Sequence, residues 1–254
     1  MSNVTTDAFL GGAIEVLQPA KGGHRAGLDA LLLASSMPLE QTGRVADFGA
    51  GCGIVGLVAA HLNSEVTVDL VECEPQMAKL ARQTLDLPGN SHISGRMHLI
   101  EANLTQNTTL RRESGLNENV YDIVLTNPPF NDTGRRPSPN SQRRIAHELT
   151  ANILNQWVRT STACLKGRGK LHMILRPSNL PTLLEAFEGR FGAIRILPIH
   201  AKHHKSANRM IVAAVKGAKG ELKILPSFVV HEPNGEFTPL AEEIFHGRAR
   251  LSVE

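Results

Sequence analysis

Arg44-Val45-Ala46-Asp47-Phe48-Gly49-Ala50-Gly51-Cys52-Gly53 is the stretch on which the fold turns. Its first half is a short apolar run that carries one acidic residue, Asp47. Its second half sets glycines at alternate positions, which lets the backbone turn tightly and approach a ligand without Cβ clashes. Residues 54–62 continue as an apolar helix. Strand, glycine loop and helix in that order open a layer of parallel α/β structure. The loop alone does not name its ligand, because dinucleotide-binding proteins use a similar one.

The same alternation runs outward in both directions. Strands are predicted over residues 44–48, 66–71, 97–100, 121–125, 169–175, 194–199 and 210–215, and helices over 54–62, 75–87, 152–165 and 180–188. Seven strands joined by short connections and helices predict a mostly parallel sheet covered on both faces. Residues 1–43 precede this core as an N-terminal extension, and residues 44–220 form the core itself. Residues 221–254 are an appendage of the same domain, with Pro233-Asn234-Gly235 as a hairpin turn between two apolar stretches.

Composition excludes several classes. The chain has 254 residues, 41% hydrophobic and 20% charged, which suits an ordinary globular protein with a sizeable core. The run Ala30-Leu31-Leu32-Leu33-Ala34 is far too short to span a bilayer. No basic segment followed by an apolar one opens the chain, so no signal peptide is expected. Three scattered cysteines, Cys52, Cys73 and Cys164, lack metal-ligand or disulfide spacing and fit a reducing, cytoplasmic setting without a metal. Net charge is +3 with a pI near 8.9, which is compatible with a polyanionic partner. Aromatic residues make up only 4%, so any base recognition rests on one or two rings rather than a stacking platform.

The strand at 121–125 ends unusually, in Thr126-Asn127-Pro128-Pro129-Phe130. Neither proline can donate to a ladder, and both stiffen the chain. Asn127 therefore offers a side-chain carbonyl, Pro128 a main-chain carbonyl, and Phe130 a flat face. Two acceptors beside an aromatic ring suit an amino group on a conjugated ring or amide. The competing reading is a stiff strand-to-loop turn whose Asn caps itself.

Three details favour one cofactor over a dinucleotide. Asp47 stands before the loop, where a pyrophosphate would be repelled and an ammonium welcomed. Glu72 ends the next strand, at the place of a carboxylate that holds ribose hydroxyls. Glu101-Ala102-Asn103-Leu104 follows the third strand, with Asn103 placed either to read an adenine edge or to close a turn. Ammonium, ribose and adenine together describe S-adenosylmethionine.

At this point the chain resembles the class I, Rossmann-like methyltransferases, on residues 47–53, Glu72 and residues 126–130 in that order and spacing. Gln18-Pro19 and residues 21–34, from Lys21-Gly22-Gly23-His24-Arg25-Ala26-Gly27-Leu28-Asp29 onward, are further similar to the N-terminal signature of bacterial valine-tRNA adenine-N6 methyltransferases. The resemblance implies a cofactor site of Asp47, Gly49, Ala50, Gly51, Gly53, Glu72, Asn103, Leu104 and Asn127, with Arg25 and Asp29 closing over it. It implies a catalytic group of Asn127, Pro128, Pro129 and Phe130. An aspartate is commoner at Asn103 in such enzymes and a tyrosine is frequent at Phe130, so here a charge and a hydroxyl are absent.

Two basic segments are candidates for nucleic acid. One is the turn-rich run after Phe130, with Arg135, Arg136, Arg143 and Arg144; the other is Lys202-His203-His204-Lys205 with Arg209. The adjacent histidines diverge in an extended segment and do not suit a metal. The favoured function is methyl transfer to adenine N6 in tRNA. Guanine-N2 transfer in rRNA and protein-glutamine N-methylation share the same amino-group chemistry and stay open. A non-catalytic cofactor- or RNA-binding protein and an NAD-dependent oxidoreductase rank below these. Oligomeric state is not legible.

Overall fold

Apolar runs bounded by glycine, proline or charge become strands whose side chains are buried on both sides, as Val45–Phe48 are. The computed structural model describes residues 4–20, 27–129 and 140–253, and of residues 140–150 the backbone alone. In chain order the elements are β1 (Val4–Phe9), β2 (Ile14–Pro19), α1 (Leu28–Ser35), β3 (Gly43–Phe48), α2 (Ile54–Leu62), β4 (Val66–Glu72) and α3 (Pro75–Leu85). They continue with α4 (Ser91–Ser94), β5 (Met97–Glu101), α5 (Thr108–Glu113), β6 (Tyr121–Thr126), α6 (Asn140–Cys164), β7 (Leu165–Leu175) and α7 (Leu180–Phe187). Last come β8 (Phe191–Lys202), β9 (Arg209–Lys216), β10 (Lys223–Ile224), β11 (Phe228–His231) and α8 (Pro239–Phe245).

The main sheet runs β10-β8-β9-β7-β6-β3-β4-β5, with β11 beside β8. Strands β7, β6, β3, β4 and β5 are parallel, and β9 is antiparallel to both β7 and β8. From β3 the chain steps outward to β4 and β5, then returns to place β6 on β3's other side. That reversal is the topological switch point, where open α/β sheets hold ligands beyond the carboxyl ends of their strands. One core packs α1, α2 and α8 on one face through Leu33, Leu57, Val58 and Ile244. The other packs α6 and α7 on the opposite face through Trp157, Val158, Leu183 and Phe187.

The sheet has nine strands rather than the seven predicted. All seven predicted strands are present, and the extra two arise where a C-terminal hairpin was expected. Lys223–Ile224 and Phe228–His231 instead line up in parallel along the open edge of β8 and satisfy its ladder groups. Pro226 lies between them and interrupts that edge. Around Pro233-Asn234-Gly235 the hairpin shrinks to one antiparallel bridge, His231 to Phe237. The chain then enters α8, because Thr238 caps its N-terminus, accepting from the Ala241 N–H, and Pro239 fills the first position.

The N-terminal extension holds a hairpin the sequence reading did not resolve. β1 and β2 pair antiparallel from Val4–Pro19 to Phe9–Ile14. Asn90, fully buried, fastens it: its Oδ1 accepts from the Glu15 N–H at 3.0 Å, and its Nδ2 donates to the Glu15 and Thr84 carbonyls, each at 2.7 Å. The Thr84 hydroxyl accepts from the Leu17 N–H at 3.0 Å. Asn90→Ala leaves these buried backbone groups unsatisfied and should destabilise the protein by about 2–4 kcal/mol. Urea unfolding with hydrogen exchange checks this; β2 amides that stay as protected as in the wild type would contradict the clamp.

Candidate active site

The site is built from the carboxyl ends of four adjacent strands, β5, β4, β3 and β6. Every main-chain amide leaving a strand needs an acceptor. After Phe48 the Gly49 and Ala50 N–H groups both return to the Val71 carbonyl of β4, at 2.9 and 3.0 Å. The Gly51 N–H donates to Glu72 Oε2 at 2.7 Å, and the Gly53 N–H to the Ala50 carbonyl at 2.8 Å. Gly49, Gly51 and Gly53 all have positive φ, so the turn demands glycine at each. With these four amides engaged, the loop does not offer them as a nest for a pyrophosphate.

Asp47 lies beneath the loop, fully buried, and its Oδ2 accepts from the Gly56 N–H in the first turn of α2 at 2.9 Å. It thus satisfies an orphan donor of a helix that has no side-chain cap of its own. Burial pushes its carboxyl up to about 7; the Glu72 charge pushes the same way, and the Gly56 hydrogen bond opposes both. Glu72 accepts from Cys73 and Glu74 N–H through Oε1, each at 2.8 Å, and from Gly51 through Oε2. One of its roughly four acceptor directions, on Oε2, remains for a ligand. Burial, helped by the Glu72 charge, raises the Cys52 thiol to about 11, so it behaves as a small apolar group.

Asn103 closes an Asx turn: its Oδ1 accepts from the Thr105 N–H at 2.9 Å and the Thr105 hydroxyl at 2.8 Å. Its NH2 has no partner among the described residues. Leu104 is buried and its carbonyl accepts from the Thr160 hydroxyl of α6. Thr126 ends β6 and donates to the Phe48 carbonyl at 2.8 Å, which ties β6 to the root of the glycine loop. The exposed Asn127 follows, and its amide makes no hydrogen bond among the described residues; Pro128 is buried and Pro129 exposed.

The structure therefore brings Asp47, Gly49, Ala50, Gly51, Gly53, Glu72, Asn103, Leu104, Asn127, Pro128 and Pro129 to one edge. Asp29 stands in the first turn of α1 and is bound to Arg209, whose Nε donates to Asp29 Oδ2 at 2.8 Å. Lys202 ends β8 and reaches the Pro233 carbonyl, and Lys205 is exposed in the following turn. Arg25, Phe130, Arg135 and Arg136 lie outside the described residues, as do the side chains of Arg143 and Arg144.

Sequence reasoning missed Trp157. A Cβ on Gly49 would stand 2.5 Å from Trp157 Cη2, so the indole of α6 presses on the glycine loop. It is the chain's single tryptophan, and that was the only signal for it.

Comparison with known proteins agrees with this arrangement. The model of a family described as methyltransferase small domain matches residues 25–204. The chain belongs to that family. A solved structure described as a predicted O-methyltransferase, protein Atu636 from Agrobacterium tumefaciens, is 32% identical and superposes with a TM-score of 0.77, covering 88% of this chain and 98% of that one. Among curated relatives, the tRNA1(Val) (adenine(37)-N6)-methyltransferase of Aliivibrio salmonicida is 24% identical over 82% of this chain and 83% of its own. The protein of the same name from Shewanella loihica is 31% identical over 61% of each chain.

A methyltransferase of this fold uses S-adenosylmethionine, and the residues present fit that group. Above Gly51 a Cβ would meet nothing within 4 Å, so the loop has open space at its tip. The loop has the buried Asp47 carboxyl beneath it and Glu72, with a free acceptor direction, bonded to its Gly51, while Asn103, whose NH2 is unpartnered among the described residues, follows the end of β5. These would face an ammonium, a ribose hydroxyl and an adenine ring nitrogen respectively.

The raised Asp47 carboxyl has a measurable consequence for the methyltransferase alone. A folded value above the unfolded 3.8 means its contribution is fully present below about pH 4 and is lost as pH rises through about 7. Asp47→Asn keeps an acceptor for Gly56 and carries no charge at any pH. Its stability relative to the wild type should therefore grow by about 2–3 kcal/mol between roughly pH 5 and pH 8. Urea melts across that range test this, and parallel curves for the two proteins would show that Asp47 titrates normally.

Proposed function

We propose that this methyltransferase transfers a methyl group to the exocyclic amino nitrogen of an adenine in tRNA. The observation that carries the reading is Asn127: an exposed amide without a partner among the described residues, stiffened by Pro128 and Pro129, at the switch point beside the glycine loop. The Asn127 Oδ1 and the Pro128 carbonyl are acceptors, and an amino group has two N–H donors to give them. A hydroxyl substrate has one O–H and would leave an acceptor unused. The names borne by the curated relatives support adenine in tRNA over other amino acceptors.

The cofactor supplies a methyl carbon on a positively charged sulfur. The chain's own part is to position and polarise the acceptor. Accepting both N–H bonds directs the nitrogen lone pair away from the protein carbonyls, and fixed dipoles stabilise positive charge as it develops on nitrogen. One amino proton leaves to solvent once the new N–C bond has formed. Phe130 would stack on the ring, Asp47 would attract the cofactor's cationic end, and residues 1–43, with Arg25 and Asp29, would close over the site. Arg135, Arg136, Arg143, Arg144, Lys202 and Lys205 would meet phosphates. A base in folded RNA must be splayed out to enter, at lower cost in a loop than in a duplex.

The purified protein is incubated with methyl-labelled S-adenosylmethionine and tRNA lacking its own modification, then the RNA is digested to nucleosides. Label is expected in N6-methyladenosine. Label in guanosine, in protein glutamine or nowhere would reject the adenine reading. Asn127→Ala should lower turnover by about 10²–10³-fold or more while cofactor affinity changes little; full activity in that variant would remove the proposed role of the amide.

A further inference from the structure

The carboxyl edge of the sheet carries opposite charge on its two flanks. On the β4–β5 side stand Glu72, Glu74 and Glu101, the last bridged to Arg82. On the β7–β9–β8 side the strand ends and the β8–β9 turn carry Arg176, Arg209, Lys202 and Lys205, with His203 and His204 between the lysines. Because β9 runs against β7 and β8, that turn comes to the same edge where β6 delivers Asn127.

Register sets the spacing. Thr126 pairs with Met173, and Met173 with Val212, so Asn127 is level with Ile211. Arg209 lies two residues further out and two strands across. At about 3.3 Å per residue and 4.8 Å per strand, its Cα stands roughly 12 Å from that of Asn127. Strand alternation puts Arg209 on the face of Ile211, which is the face α1 covers.

Arg209 is held there in one orientation. Its Nε donates to Asp29 Oδ2 at 2.8 Å and its Nη1 to the Asn208 carbonyl at 3.0 Å. Among the described residues these bonds use two of the five guanidinium N–H groups and leave three, on a side chain that is 29% exposed. A guanidinium already pinned along one edge presents its remaining fork to a phosphate and loses less freedom on binding one.

We propose that Arg209, oriented by Asp29, is a backbone contact of an RNA strand. That strand leaves the target base at Asn127 and passes over the ends of β7, β9 and β8 toward Lys202 and Lys205. The proposal rests on the RNA reading above and assigns the two flanks: the acidic one to the cofactor, the basic one to the nucleic acid. Asp29 acquires a role other than closing over the cofactor, as a positioning residue for Arg209.

The test uses the full chain and an unmodified tRNA transcript, with affinity measured between about 50 and 200 mM salt. Arg209→Gln should weaken RNA binding about tenfold and flatten the slope of log affinity against log salt by about 0.7–0.9, the share of one phosphate. Its melting temperature and its affinity for S-adenosylhomocysteine should stay at wild-type values. Asp29→Asn separates positioning from simple charge. Deleting a carboxylate near RNA should tighten binding if charge alone matters, and should weaken it severalfold if Asp29 orients Arg209. A loss of cofactor affinity in Arg209→Gln, or tighter RNA binding in Asp29→Asn, would overturn the assignment. Wild-type activity is the separate readout: no label in tRNA rejects the RNA reading and the path with it. Label in tRNA with unchanged binding and slope in Arg209→Gln rejects the path alone.

Discussion

The structure depends on how the main chain satisfies its amides just after β3. A strand that ends inside the protein leaves N–H groups with no ladder partner, and buried unpaired amides are costly. Here the Val71 carbonyl, the Glu72 carboxylate, the Ala50 carbonyl and the Asp47 carboxylate take up Gly49, Ala50, Gly51, Gly53 and Gly56. The loop is therefore shaped by its own hydrogen bonds, before any ligand arrives. It follows that these amides are not open to a polyanion, while one acceptor direction on Glu72 is left for a hydroxyl-bearing group.

The same economy of partners joins the two halves of the site. Trp157 presses on Gly49 from α6, Thr160 of that helix holds the Leu104 carbonyl, and Thr126 of β6 holds the Phe48 carbonyl. The glycine loop, the turn after β5 and the end of β6 thus share one buried cluster to which Phe48, Leu104, Val124 and Trp157 belong. Packed interiors transmit small displacements because they have few voids to absorb them. A shift of α6 reaches the glycine loop through the indole, and a shift of β6 reaches it through Thr126.

Much of the fold was legible because strands and helices here carry strong local signals. α2 has the predicted bounds, 54–62, since glycine precedes it and residues 54–60 are all buried along it. β3 and β4 each gain one residue over the prediction, at Gly43 and Glu72, because ladder pairing extends past the apolar run. β1 and β2 were not read, although the buried Ile14, Val16 and Gln18 alternate with half-buried neighbours and Gly11-Gly12 supplies the turn. The C-terminal segment misled because an open strand edge outcompeted a local turn, a tertiary outcome no short window contains. In the site, the carboxylates and glycines were legible by spacing from strand ends. Gly56 as the partner of Asp47, Trp157 over Gly49, and Asp29 joined to Arg209 across 180 residues were not, because only the folded chain makes them neighbours.

The outer margin of the sheet carries a consequence for behaviour in solution. β10 is two residues long, begins at Lys223 and gives way at Pro226 before β11 resumes the pairing with β8. An unbroken row of free N–H and C=O groups is a template on which another chain can crystallise as a further strand. Here the row is cut short, charged at one end and deprived of a donor in the middle, even though Ile224 is 70% exposed. The margin that completes β8 is thus poorly suited to growing a fibril, and apolar surface there is tolerated because the backbone beneath it cannot propagate.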